Sequence, residues 1–133
     1  MRSRHSSRRS GTPLPRRPRD RSRSPGVSHV LVFITTATRQ EGERIGRALL
    51  DERLAACVNM TPVHSAYWWQ GRVEEAEETL LVVKTAARLV GEVTARVRAL
   101  HSYTVPEVIA LPIQDGNPEY LRWIDESVRA PGE

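Results

Sequence analysis

Residues 55–85 read AACVNMTPVHSAYWWQGRVEEAEETLLVVKT. Two alternating runs flank Gln70-Gly71, so the stretch predicts two antiparallel strands joined by a tight turn. The stretch from Ala55 to Trp69, extended at ~3.3 Å per residue, would span roughly 45 Å. A compact domain of ~105 residues has a radius of gyration near ~13 Å and measures roughly 33 Å across. The hairpin must therefore bend, coil or overhang, and the expectation is that it overhangs onto copies of itself. Pro62 interrupts the first strand and predicts a bulge or an edge position with a bend, because proline donates no ladder hydrogen bond. Tyr67, Trp68 and Trp69 place large rings on both faces near the turn, where an isolated ribbon leaves at least one face wet. These three are the candidate assembly contacts.

Outward from the hairpin, the pattern alternates between helix and strand. Val30 to Ile34 is continuous and β-branched, as in a strand buried on both faces. Thr38 and Glu41 form a capping box, and Ile45, Ala48 and Leu49 keep helical spacing, which predicts a helix over 39–53. Gly42 and Gly46 weaken that helix by about 1 kcal/mol each but let it approach the sheet. Leu89, Val93, Val97 and Leu100 predict a second helix over 88–100. A loop from His101 to Glu107 leads to a strand at Val108–Leu111, with Pro112 suggesting an edge. Asn117 and Pro118 then open a short C-terminal helix carrying Tyr120, Leu121, Trp123 and Ile124. The order is strand, helix, strand, strand, helix, strand, helix. It predicts an α+β fold, a ferredoxin-like split β-α-β sandwich with a long β-hairpin and an extra C-terminal helix. Helices cover one sheet face in this architecture, yet Leu80 to Val83 is apolar on both. Symmetric self-association is the simplest cover for the second face.

The charge divides the chain in two. Nine arginines and one aspartate fall within residues 1–28, against eleven basic and fifteen acidic residues in the rest, so the high pI belongs to the N-terminal segment. Rich in Arg, Ser and Pro and poor in bulky apolar residues, residues 1–28 are expected to be disordered, with residues 29–133 as the folded domain. Nucleic-acid contact is expected, if anywhere, only through this basic tail, which lacks interleaved aromatic residues for stacking. Its prolines break any amphipathic import helix, and it has no apolar export region. No run of ~18 apolar residues predicts a membrane span, and a single cysteine, Cys57, forms no intramolecular disulfide. A cytoplasmic protein is expected.

Several ordered motifs resemble one family, the CutA divalent-cation tolerance proteins. They are Arg53 to Asn59, Tyr67 to Gly71, Glu78 to Thr85, His101 to Glu107 and Tyr120 to Ile124. The resemblance implies a ferredoxin-like subunit, a homotrimer built through the hairpins, a cytoplasmic location, and a link to copper and other divalent cations in the response to metal ions. It also implies a copper site drawing on a first-strand cysteine and adjacent histidines. The corresponding positions here are Thr35, Leu100 and His101, so only His101 carries over as a candidate metal ligand.

Tyr103 and Glu107 share a loop with His101, and together with Lys84 they are the candidate residues of an inter-subunit ligand cleft. One histidine and one carboxylate fall short of the usual four ligands of a structural divalent site, so a neighbouring subunit would add others. The structural alternative is that His101 caps the preceding helix and Glu107 pairs with a cation across an interface. Cys57 suits a small buried hydrophobe better than a soft ligand, and His64 suits a surface or interface residue. Glu74, Glu75, Glu77 and Glu78 are expected on a solvated strand, although they could attract cations. No phosphate-binding glycine loop, Cys-x-x-Cys pair or His-Glu-x-x-His helix is present, so a non-enzymatic protein is expected. A second reading is a small-metabolite sensor, by fold-level analogy with the trimeric nitrogen-regulatory PII proteins. An enzyme using His101 and Glu107 as acid and base is a third.

Overall fold

The two hairpin strands pair without a break. In the computed structural model, which describes residues 27–132, β2 (Cys57–Trp69) runs antiparallel to β3 (Arg72–Ala86) from Cys57 opposite Lys84 to Trp69 opposite Arg72. Gln70 and Gly71 turn the chain with φ of 52° and 81°, the left-handed pair that matches the twist of a two-residue hairpin. Pro62 sits opposite Thr79 in uninterrupted register, so it makes no bulge; β2 is an edge strand, where a missing donor is tolerated. β1 (His29–Thr36) pairs with β3 only from Thr79 to Ala86. The half of the hairpin beyond Thr79 is therefore a two-stranded arm, Val63–Trp69 against Arg72–Glu78, that projects past the sheet by roughly 24 Å at ~3.4 Å per residue.

The sheet order is β2-β3-β1-β4, with β4 (Val108–Pro112) antiparallel to β1. Two helices, α1 (Arg39–Asp51) and α2 (Val90–Leu100), follow β1 and β3, and α3 (Pro118–Ser127) closes the chain. This is the ferredoxin-like α+β arrangement with an added C-terminal helix. Alternation along β1 and β3 sends Val30, Val32, Ile34, Leu81 and Val83 into the core with Ile45, Leu49, Val93 and Val97. α1 lies close on the sheet because Gly42 leaves no room for a side chain: an added Cβ would stand 2.9 Å from Leu81 Cδ1.

The opposite sheet face is not covered by α1 and α2; on that side His29 Nε2 meets Asp125 Oδ1 of α3 at 2.9 Å. Leu31, Phe33, Leu80 and Val82 are half-buried there, and Ile109 and Leu111 are exposed. α1 stops at Asp51 rather than Arg53. Arg53 takes a φ of 57°, and the N–H groups of Arg53 and Leu54 donate to the carbonyls of Leu50 and Leu49, a Schellman closure without its usual glycine. Val27 and Ser28 join the described fold: Val27 packs on the core and the Ser28 carbonyl accepts from Ala87 N–H. The expectation for residues 1–26 lies outside the described residues. No described helix is long and apolar enough to cross a membrane.

Candidate functional site

One end of β1 and the base of the arm frame an open cleft of about 830 Å³. Thr35 and Glu78, Tyr67 and Trp69 of the arm, and Ser102 to Val105 and Glu107 of the loop after α2 line it. The loop is held by a buried network. Thr38 Oγ1 accepts from Glu41 N–H at 3.1 Å, as the capping box predicts, while the Glu41 carboxylate accepts from Ala37 N–H at 3.2 Å and from Ser102 N–H at 2.7 Å. Burial by itself would raise the Glu41 carboxyl, but the Ser102 and Ala37 hydrogen bonds bring it below its ordinary value. A helix-capping side chain thereby also fixes a loop that lies far away in sequence.

His101 is the second tie. Its side chain is fully buried; Nδ1 accepts from Tyr103 N–H at 3.0 Å, and that bond requires the tautomer in which Nε2–H donates to the Thr35 carbonyl at 2.7 Å. Both ring nitrogens are spent on backbone groups, so in this arrangement the candidate metal ligand is a loop latch and does not line the cleft. Its own N–H closes α2 by donating to Val97 O, while its side chain leaves the helix carbonyls alone. Among the described residues, no group of three or more His, Cys, Asp or Glu side chains is placed to hold a metal ion.

Tyr103 and Glu107 both line the cleft, as expected. The Tyr103 hydroxyl donates to Glu78 Oε2 at 2.7 Å, and burial followed by this bond pushes its phenol pKa well up. Glu107 is exposed and has no hydrogen-bond or ion-pair partner among the described residues. Lys84 lies elsewhere. It is six residues along β3 from Glu78, roughly 20 Å away in an extended strand, and its Nζ donates to Asn59 Oδ1 at 2.5 Å beside Cys57 Sγ at 3.9 Å. Cys57 is only half-buried, on the open face, and not the buried hydrophobe its neighbours suggested.

Glu78 is the cleft residue that sequence reasoning missed. Grouped with the solvated glutamates, it is instead 9% exposed and bonded to Tyr103. The available signal was alternation: Glu78 shares a strand face with Leu80 and Val82, while Glu75 and Glu77 point the other way. Those two glutamates clasp His64, Oε2 of Glu77 at 2.6 Å from Nδ1 and Oε1 of Glu75 at 2.7 Å from Nε2. On the arm, Tyr67, Trp68 and Trp69 are 41%, 73% and 53% exposed in the single chain.

An antiparallel sheet in this order, α1 and α2 on one face, an overlong hairpin and an acidic cleft at its base define a class of ferredoxin-like subunits. Residues 30–127 match the profile of the family described as CutA1 divalent ion tolerance protein. The chain belongs to that family. It is 46% identical over 100 residues to the divalent-cation tolerance protein CutA of Archaeoglobus fulgidus, covering 75% of this chain and 98% of that one. The protein of the same name from Thermus thermophilus is 50% identical over 98 residues, covering 73% and 95%. A solved structure, described as the periplasmic divalent cation tolerance protein CutA from Archaeoglobus fulgidus, superposes with a TM-score of 0.75 at 46% identity, over 76% of this chain and 99% of that chain.

Proposed function

We propose that this chain works as a non-enzymatic homotrimer in the response to divalent metal ions, copper among them, with cation contact in the cleft and further ligands supplied by a neighbouring subunit. The observation that carries the reading is the charge of the cleft: Glu78 and Glu107 line it, and among the described residues no lysine or arginine does. That lining gives no support to the metabolite-sensor alternative, because an anionic metabolite would meet carboxylates without a balancing cation. Nor does it supply a paired nucleophile and base, since the Tyr103 hydroxyl is engaged by Glu78 and the His64 ring by Glu75 and Glu77. The exposed rings of the arm support assembly, and an obligate interface of this kind buries on the order of 2,000 Å² or more. A cytoplasmic setting is part of the reading, supported by a single thiol without a disulfide partner; the Archaeoglobus structure is described as periplasmic, so cell fractionation decides it.

Analytical ultracentrifugation at micromolar concentration should give the mass of three chains, and a stable monomer would overturn the assembly. Calorimetric titration of Cu(II) into wild type, Glu107→Gln and His101→Ala tests the site. Weakened binding in Glu107→Gln is expected, and equal affinity in wild type and Glu107→Gln would remove the cleft from cation binding.

A further inference from the structure

We propose that Arg53, Arg88 and Arg129 form an anion site that takes a phosphate dianion, either free phosphate or a phosphomonoester. The three come from the turn after α1, the turn before α2 and the segment after α3. They lie at the opposite end of β3 from the hairpin arm, so the inference uses neither the cleft nor the divalent-cation reading. All three are tied to one another through the last segment. Arg53 Nη2 donates to the Glu126 carbonyl at 3.3 Å, Arg88 Nη2 donates to the Arg129 carbonyl at 2.5 Å, and Arg129 N–H donates to the Arg53 carbonyl at 2.9 Å. Arg53 and Arg88 are exposed, and neither has a carboxylate partner among the described residues.

Charge and donors are both in excess at this corner. Arg88, Glu92 and Arg96 recur every four residues into α2; Glu92 accepts from Arg129 Nη2, and Glu52 accepts from Arg96 Nε at 2.8 Å. Those two pairs neutralise each other and leave Arg53 and Arg88 without a paired countercharge, which matches a dianion. Glu126 is exposed, and its carboxylate bonds none of these arginines. Each guanidinium carries five N–H donors; Arg53 and Arg88 each place one on a carbonyl, and Arg129 Nε is buried with no acceptor at all. A carboxylate offers two oxygens in a plane, whereas a phosphate spreads three or four over a tetrahedron and pairs with the guanidinium fork. The backbone of Arg53 points the same way. Its φ of 57° is a left-handed position that glycine holds without strain, and strain kept under an exposed charged side chain indicates a use for that side chain.

The test is calorimetric titration of the full chain with sodium phosphate and with phenyl phosphate, and with sodium acetate as the planar monoanion, at neutral pH and matched ionic strength. At least one of the two phosphates should bind about tenfold or more tightly than acetate, and Arg53→Gly and Arg88→Gln should each weaken it by a similar factor. Arg53→Gly removes the guanidinium while relieving the left-handed backbone, so its melting temperature should hold or rise and a folding artefact is separated from a lost site. Arg88→Lys, which keeps the charge and loses the fork, should restore only part of the affinity. The nine arginines within residues 1–28 are unchanged in every variant, so anion binding by that segment is a background that no variant moves. Phenyl phosphate binding as tightly as phosphate, or more tightly, assigns a phosphomonoester; weaker phenyl phosphate assigns the free ion. Acetate binding as tightly as both phosphates, or unchanged phosphate affinity in Arg53→Gly or in Arg88→Gln, would overturn the inference.

Discussion

The two halves of the hairpin share one ladder and have opposite fates. At the root, Leu81 and Val83 are fully buried under α1 and α2; along the arm, Trp68 and Val73 are 73% and 56% exposed. Register, turn and strand propensity are continuous across both. The difference lies in what covers them, since the pairing of β1 with β3 ends where the arm begins. A β-ladder therefore fixes which residues face one another, while burial is decided by the layer laid on top.

The strongest way to break this comparison is at the root. Leu81→Ala should cost about 2–5 kcal/mol by urea denaturation, because the fully buried side chain leaves a cavity under α1. A cost near zero would mean that the root is no better packed than the arm. Next is Glu41→Gln, expected to cost about 1–3 kcal/mol because a buried carboxylate bonded to Ala37 and Ser102 N–H groups becomes a weaker acceptor. The sign with pH follows from the lowered Glu41 pKa: its contribution is present above the ordinary value of 4.5 and is lost as pH falls through the lowered folded value. The acid limb of the wild-type stability curve should flatten in Glu41→Gln, and parallel curves would contradict the network.

On the arm, Trp68→Ser should change the stability of the chain by no more than about 0.5 kcal/mol at dilute concentration, read by circular dichroism, while weakening subunit association in sedimentation. A large loss of ellipticity would show that the arm is part of the core. The smallest expected effect is at His64. Hydrogen bonds to Glu77 and then Glu75 raise its pKa, so the cross-strand clasp is at full strength below 6.5 and is lost as pH rises through the raised value. In an NMR titration His64 should titrate above 6.5, and Glu77→Gln should bring it down; the exposed setting predicts little change in unfolding free energy.

Much of the fold was legible because its signals are local. Gln70-Gly71 names the turn, Thr38 and Glu41 name the start of α1, Asn117 and Pro118 name the start of α3, and strand alternation names the core face. The end of α1 was not legible, because Arg53 holds a left-handed position where glycine is the readable mark. The candidate site was legible by halves. Tyr103 and Glu107 were found through the loop that carries them, whereas Glu78 was hidden among three glutamates of the same run.

By itself the sequence determined the element order, the family and the overlong hairpin, since periodicity, caps and turn residues act over a few positions along the chain. Only the tertiary structure decided that His101 latches a loop, that Lys84 stands apart from the cleft, and that Glu41 caps a helix and holds Ser102 at once. Those roles depend on groups separated by 25 to 66 residues being brought within hydrogen-bond distance. Side-chain chemistry sets what each residue can bond, and the packing of distant elements sets which partner it meets.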